Sequence, residues 1–309
     1  MQTPEFWNAR TLPARLLAPL GRLYGASVAF KARHARPYRS SVKVLCVGNL
    51  TAGGSGKTPV AIALARILIG KGKKVFFLTR GYGGKEKGPA LVKPFYSARQ
   101  VGDEALLLAR TAPTIVARDR DSGAAFAETL GAEILVMDDG HQNFALAKDL
   151  SVLVMDSAGL GNGLMIPAGP MREPLAQGLA RADAVVLMGG TMDLGNFRGP
   201  VLRARLKPEA SQLYGQRFFA FAGIGRPAKF MDSLREAGIA VSGSRFFPDH
   251  YRYTPADIAG LRRHGALITT EKDYVRLSEE ERAGIAVLPV AVQFDGDPGP
   301  LLDRLLAPV

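Results

Sequence analysis

Thr51-Ala52-Gly53-Gly54-Ser55-Gly56-Lys57-Thr58 follows an apolar run at 42–47 that contains one Lys and precedes an apolar helical pattern at 60–69. The order is strand, phosphate loop, helix. Its glycines let backbone N–H groups converge on phosphate oxygens. Lys57 can reach β- and γ-phosphates, and the Thr58 hydroxyl can serve Mg²⁺. The usual eight-residue pattern has Gly at its first position, where this chain has Thr51. The intact Gly-Lys-Thr ending favours a nucleotide site over a glycine-rich turn.

Outward from the loop, helices and strands alternate. Pro59 sits in the first turn of the expected helix, where a missing N–H costs little. A strand at 74–79 runs into Arg80-Gly81-Tyr82-Gly83-Gly84 and a basic, exposed stretch at 85–93. Gly102-Asp103-Glu104 heads a helical run at 105–110, where adjacent acids also read as caps and dipole partners. A strand at 114–117 and a helix at 121–130 come next. The strand at 133–137 ends in Asp138-Asp139-Gly140, an acid position suited to holding Mg²⁺ through its water shell. In a parallel sheet, strand ends on one side bring this acid and the phosphate loop to one crevice. Further strands are expected at 151–155 and 184–188, separated by a Gly- and Pro-rich loop at 161–173 whose length suggests function.

From about residue 199 the pattern changes. Residues 201–206 read as an edge strand or connector. Then come a strand at 218–222, a helix at 228–237, a strand at 240–247, a helix at 255–264, strands at 266–270 and 285–292, and a helix at 301–306. The expected fold is therefore α/β: a phosphate-loop parallel-sheet core at 41–210 and a smaller C-terminal α/β domain at 211–309, with an N-terminal basic helix region at 1–40 joined to the core.

The chain has 309 residues, 47% hydrophobic and 22% charged, which suits a soluble globular protein. Its net charge of +12 points to an anionic partner. The single cysteine, Cys46, lies in an apolar strand, so no intrachain disulfide forms. In the N-terminal region Leu12, Leu16, Leu17, Leu20, Leu23, Tyr24 and Val28 share one helical arc, with Arg15 and Arg22 opposite. Eight Lys or Arg stand against one Glu between residues 1 and 43. This composition suits a helix lying in an anionic membrane interface, and equally a first helix packed on its own domain with a solvated basic face. No signal peptide or spanning segment is legible.

The four histidines lack zinc-helix spacing, and no Gly-x-Ser-x-Gly elbow is present. Without an Asn-Lys-x-Asp stretch, ATP is a better expectation than a guanine nucleotide. A nucleic-acid ATPase would use the positive charge, but no stretch interleaves basic residues with several aromatics as a stacking platform would. A nucleotide-switched membrane adaptor is the other alternative.

Taken in order, the motifs resemble those of the tetraacyldisaccharide 4′-kinases (lipid A 4′-kinases) of Gram-negative bacteria. The matching stretches are VGNLTAGGSGKTP (47–59), TRGYGG (79–84), GDEALLLAR (102–110), MDDGHQN (137–143), NGLMIPAGPMREPL (162–175), FAGIGRPAKF (221–230), FPDHYRYT (247–254) and LITTEKDYVRL (267–277). That family tolerates Ser or Thr where Thr51 stands. It commonly has Phe or Leu, then Gln-His, after Asp-Asp-Gly, whereas this chain has His141-Gln142-Asn143; it often has a second His where Tyr251 stands.

The resemblance implies transfer of the ATP γ-phosphate to the 4′-hydroxyl of a tetraacylated glucosamine disaccharide 1-phosphate, at the cytoplasmic face of the inner membrane and without nucleic acid. It implies Gly53 to Thr58 as the nucleotide loop, Asp138, Asp139 and Glu173 near Mg²⁺ with Thr58, and Asp103 as the base assisted by His250. It also implies a smaller C-terminal domain and a membrane-seated N-terminal helix.

Overall fold

The computed structural model describes residues 4–157, 159–210, 213 and 215–307. Runs of Val, Leu and Ile too apolar to face water become central strands, buried on both faces as parallel sheets require. In chain order the strands are β1 (Lys43–Gly48), β2 (Val75–Thr79), β3 (Ala90–Leu91), β4 (Thr114–Val116), β5 (Ile134–Asp138), β6 (Leu150–Asp156) and β7 (Ala184–Met188). They continue with β8 (Val201–Pro208), β9 (Arg217–Ala222), β10 (Ala240–Phe246), β11 (Leu267–Thr270), β12 (Ile285–Leu288) and β13 (Val290–Phe294).

Nine strands form one sheet in the order β13-β8-β7-β6-β1-β5-β2-β4-β3, parallel except at its two edges. The other four form a parallel sheet, β10-β9-β11-β12. The two-residue period of a strand separates the two cores of the large sheet. Leu45, Val47, Val136 and Val152 pack with Val60, Leu64 and Leu68 of the helix Lys57–Gly70. Val44, Cys46, Leu135 and Met137 pack on the other face with Ala124 and Ala127 of the helix Arg120–Thr129. Burying each such leucine stabilises the fold by about 1.5–3 kcal/mol.

β1 lies between β5 and β6, so successive connections run to opposite sides of it. This is a switch point, where a crevice opens beyond the strand ends. Register places Val47 beside Asp138, which brings the acid to the mouth of the phosphate loop.

Two expectations are corrected. The single strand expected at 285–292 is two strands, because Pro289 has no N–H to continue a ladder. Before it, Leu288 pairs with Thr270 in the small sheet; after it, Val290 pairs with Pro208 in the large one. Residues 201–208 are neither connector nor edge strand, since β13 covers their outer side.

The helix Leu12–His34 turns Ala14, Gly21, Gly25 and Val28 inward. A Cβ at Gly21 would come within 2.7 Å of the Met165 carbonyl oxygen, and Gly25 lies against the Met165 thioether. Val28, grouped above with the apolar arc, thus belongs to the packed side. Leu12, Leu16 and Leu23 remain 69%, 70% and 68% exposed, so the helix both packs on the protein and presents an apolar ridge. Among the described residues no helix is long and apolar enough to cross a membrane.

Candidate active site

The phosphate loop is held from beneath. Asn49 Nδ2 donates to the Thr51 carbonyl and to Ser55 Oγ, both at 2.8 Å. Residues 170–172 brace the loop from its side: Ala52 N–H donates to Pro170 O at 2.8 Å, and Thr51 pairs with Met171 in an isolated bridge. Gly56 takes φ +85°, a left-handed turn that suits glycine, and Lys57 opens the helix behind it. Around Gly53 and Gly54 a Cβ would meet nothing within 4 Å, so this part of the loop faces open space.

Beside the loop, Asp138 is fully buried. Its Oδ2 accepts from Thr58 Oγ1 at 2.9 Å, while its Oδ1 has no hydrogen-bond partner among the described residues. Burial and then the nearby Glu104 charge push its carboxyl up to about 7, against the pull of Lys57. Asp139, in a left-handed conformation at φ +56°, accepts from Arg172 Nη1 at 2.6 Å and lies 3.9 Å from Lys57 Nζ. Burial opposes its charge, yet Lys57 and Arg172 hold its carboxyl below the ordinary value. Burial likewise disfavours the Lys57 ammonium, but Asp139, Glu104 and Asp138 together raise its pKa.

The second constellation joins the two sheets. Gly102 has φ +86°, and a Cβ there would lie 2.5 Å from the Tyr82 carbonyl, so glycine is required where the chain turns into the helix Asp103–Ala109. Asp103, nearly buried, accepts its neighbour's amide on Oδ1. On Oδ2 it accepts from His250 Nδ1 at 3.0 Å and from Arg276 Nε and Nη2 at 2.8 and 2.5 Å. Burial pushes the Asp103 carboxyl up, but His250, Lys272 and Arg276 outweigh it and hold it well below the usual carboxylate range. His250 has φ +58° and lies edge-on to the Tyr82 ring, 5.5 Å between centroids. Lys272 Nζ lies 3.4 Å from Glu104, and Arg226 and Lys229 bind Asp156 at 2.5 and 2.6 Å. In these pairs the large-sheet side brings the acid and the small-sheet side the base.

Glu173, expected beside Mg²⁺, has both carboxylate oxygens engaged elsewhere. Oε1 accepts from Gln142 Nε2 at 2.8 Å and Oε2 from Arg181 Nη2 at 2.5 Å, with the glutamate itself fully buried and the arginine partly exposed. Gln142 Nε2 also donates to Asn49 O, so Glu173 supports the loop from behind. His141 is buried with Nε2 3.1 Å from Gly178 O and Nδ1 3.2 Å from Ser151 Oγ. A carbonyl only accepts, so Nε2 carries the proton and the serine hydroxyl donates to Nδ1. Burial, then Lys148 and Arg181, lowers its pKa to about 3 and keeps it neutral. Asn143 Oδ1 accepts from the Leu146 amide and shapes the turn.

Sequence reading passed over Glu104, except as a cap, and also Arg172, Lys272, Asp273 and Arg276. The quoted motifs hold all five, but only the fold gives them partners.

Comparison with known proteins matches residues 13–309 to the family model described as tetraacyldisaccharide-1-P 4′-kinase. This chain belongs to that family. A tetraacyldisaccharide 4′-kinase of Paramagnetospirillum magneticum is 50% identical, over 99% of each chain. One of Methylobacterium nodulans is also 50% identical, over 99% of this chain and 96% of the relative. A crystal structure of LpxK from Aquifex aeolicus, in complex with ATP, matches with a TM-score of 0.79 and 30% identity. That match covers 95% of this chain and 98% of the other. The family's fold therefore extends through both sheets, including the small-sheet segment that carries His250 and Arg276.

Proposed function

We propose that this kinase transfers the γ-phosphate of ATP to the 4′-hydroxyl of a tetraacylated glucosamine disaccharide 1-phosphate, giving lipid IVA, at the cytoplasmic face of the inner membrane. One observation carries the reading: a phosphate loop with Asp138 at its mouth shares its side of the large sheet with Asp103, which meets His250 from the small sheet. The names of the relatives and the ATP-bound structural neighbour support the nucleotide and the acceptor.

The loop amides and Lys57 cradle the triphosphate. Thr58 Oγ1 and the partnerless Asp138 Oδ1 offer the hard oxygen pair that Mg²⁺ prefers, and these residues would hold the ion. The chemistry such an ion supplies is neutralisation of charge on the β- and γ-phosphate oxygens. Asp139, tied to Lys57 and Arg172, keeps both cations directed at the crevice. Asp103 accepts the hydroxyl proton late, as the P–O bond forms, because an ionised carboxylate so well stabilised is a weak base. His250 orients it.

The acyl chains stay in the bilayer, and the exposed leucines of the first helix enter the interface beside its basic residues. Each Lys or Arg there contributes roughly 1 kcal/mol toward an anionic surface. A nucleotide-switched adaptor leaves the Asp103–His250 pair without a task.

The test incubates the purified protein with γ-labelled ATP and the disaccharide lipid in detergent, with an oligonucleotide as control. Label is expected in the lipid; label in the oligonucleotide alone overturns the reading. Asp103→Ala should lower kcat by about 10²-fold or more with ATP affinity nearly unchanged. Equal losses of affinity and rate would mark Asp103 as structural.

A further inference from the structure

Asp103 Oδ2 is filled. Among the described residues three donors reach it, one from His250 and two from Arg276, while Oδ1 accepts only the Glu104 amide. The oxygen with lone-pair capacity left for an acceptor hydroxyl is therefore Oδ1.

Arg276 is fixed from behind. Its Nη1 donates to Asp273 Oδ1 at 2.8 Å and to Gly223 O at 2.6 Å, and its side chain is 6% exposed. Asp273 is fully buried and is held in turn by the Gly223 amide, the Tyr253 hydroxyl and Thr270 Oγ1, at 3.0, 2.9 and 2.7 Å. A rigid, permanently charged fork thus projects from the small sheet onto one oxygen of a large-sheet carboxylate.

We propose that Arg276 is a positioning residue for the phosphoryl transfer: its fork selects Oδ1 of Asp103 as the proton-accepting oxygen, and its charge helps to keep that carboxylate ionised. The inference rests on Asp103 acting as the base.

Charged and titratable groups face the pair from several sides. Glu104 follows Asp103 on its own helix. Lys272, Asp273 and Arg276 come from the segment after β11, Asp249 lies 3.8 Å from His250 Nε2, Tyr82 meets the His250 ring, and Tyr253 binds Asp273. Among the described residues Arg276 is the cation in direct contact with both members, with Nη2 3.5 Å from His250 Nδ1. Its positive charge favours the Asp103 carboxylate over the acid. Removing it leaves Oδ2 with the His250 donor alone, so the carboxyl group can turn away from the geometry in which Oδ1 faces the acceptor.

The experiment measures kcat and KM for the full-length protein, Arg276→Gln, Arg276→Lys and Asp103→Asn, with γ-labelled ATP and the glycolipid in detergent. ATP affinity is read separately by displacement of a fluorescent nucleotide. Arg276→Gln should lower kcat by about tenfold or more while KM for the glycolipid and ATP affinity stay within about twofold. Arg276→Lys keeps the charge but loses the fork, so kcat should fall by about three- to tenfold with KM and ATP affinity again within about twofold.

A folded Arg276→Gln protein with unchanged kcat, or with kcat lost only together with ATP affinity, overturns the proposal, as does Arg276→Lys with full kcat; the latter decides the matter even if the Gln variant does not fold. Full activity in Asp103→Asn instead overturns the base assignment, which separates the two failures.

Discussion

Asp273 gives the sharpest test of how the small sheet is held together. It accepts from the Gly223 amide, the Tyr253 hydroxyl, Thr270 Oγ1 and Arg276 Nη1 in a site without solvent. In Asp273→Ala, Arg276 keeps Asp103 and the Gly223 carbonyl as partners, and Thr270 can rotate its hydroxyl. The Gly223 amide and the Tyr253 phenol cannot compensate. Burial and then Asp273 push that phenol far above its ordinary value, so it remains a donor at every accessible pH. Two stranded donors at about 1–3 kcal/mol each put the loss near 3–5 kcal/mol, the range for breaking a buried charged network. Asp273→Asn retains an acceptor for both and loses mainly the charge assistance to Arg276, about 1.5–3 kcal/mol. Circular dichroism in urea, with midpoints and slopes compared across the three proteins, measures both losses. An Ala variant within about 0.5 kcal/mol of the parent, or an Asn variant as damaged as Ala, would refute the reasoning.

Two further outcomes follow from the geometry. Leu16→Ser and Leu23→Ser should each weaken co-sedimentation with anionic vesicles by about tenfold or more, since burying a leucine gains about 1.5–3 kcal/mol. Both side chains are largely exposed, so the unfolding midpoint should not move, and unchanged vesicle binding would return the helix to a purely packing role. His141 titrates from an ordinary 6.5 down to about 3 in the folded chain. Below 6.5 the unfolded chain takes a proton the native one refuses, so His141 costs stability progressively as pH falls through that window. His141→Gln removes the cost, and the parent's margin over it should narrow by about 1 kcal/mol between neutral pH and about pH 5.5. Parallel stability curves would show that His141 does not titrate this way.

Much of the site was legible because phosphate chemistry constrains short stretches. A glycine-rich loop between strand and helix, and an acid ending a buried strand, name their neighbours once the sheet is parallel. Local sequence also marked Gly102-Asp103-Glu104, although a helix cap and a catalytic acid look identical until His250 arrives from 147 positions away. Arg276 and Asp273 carried no such signal: their task depends on the approach of two sheets, which no periodicity encodes. Glu173 was placed near the metal by resemblance, and its engagement with Arg181 and Gln142 is a matter of side-chain direction. Pro289 was visible as a proline inside an apolar run, but which sheet each half would join depended on partners far along the chain.

That proline has a consequence for assembly. Because Val290 lies opposite Pro208 and residues 209–289 hold the entire small sheet, the small sheet is an excursion from what is otherwise a hairpin position. Leu301, Leu302 and Leu305 then fill the core beneath the phosphate-loop helix. During synthesis the nucleotide-binding half cannot close as its own strands emerge; its edge strand and the last layer of its core wait until residues 290–306 leave the ribosome. Truncation after β8 would strip the larger half, whereas excising 209–289 and joining the strands by a two-residue turn such as Asn-Gly should leave a continuous nine-stranded sheet.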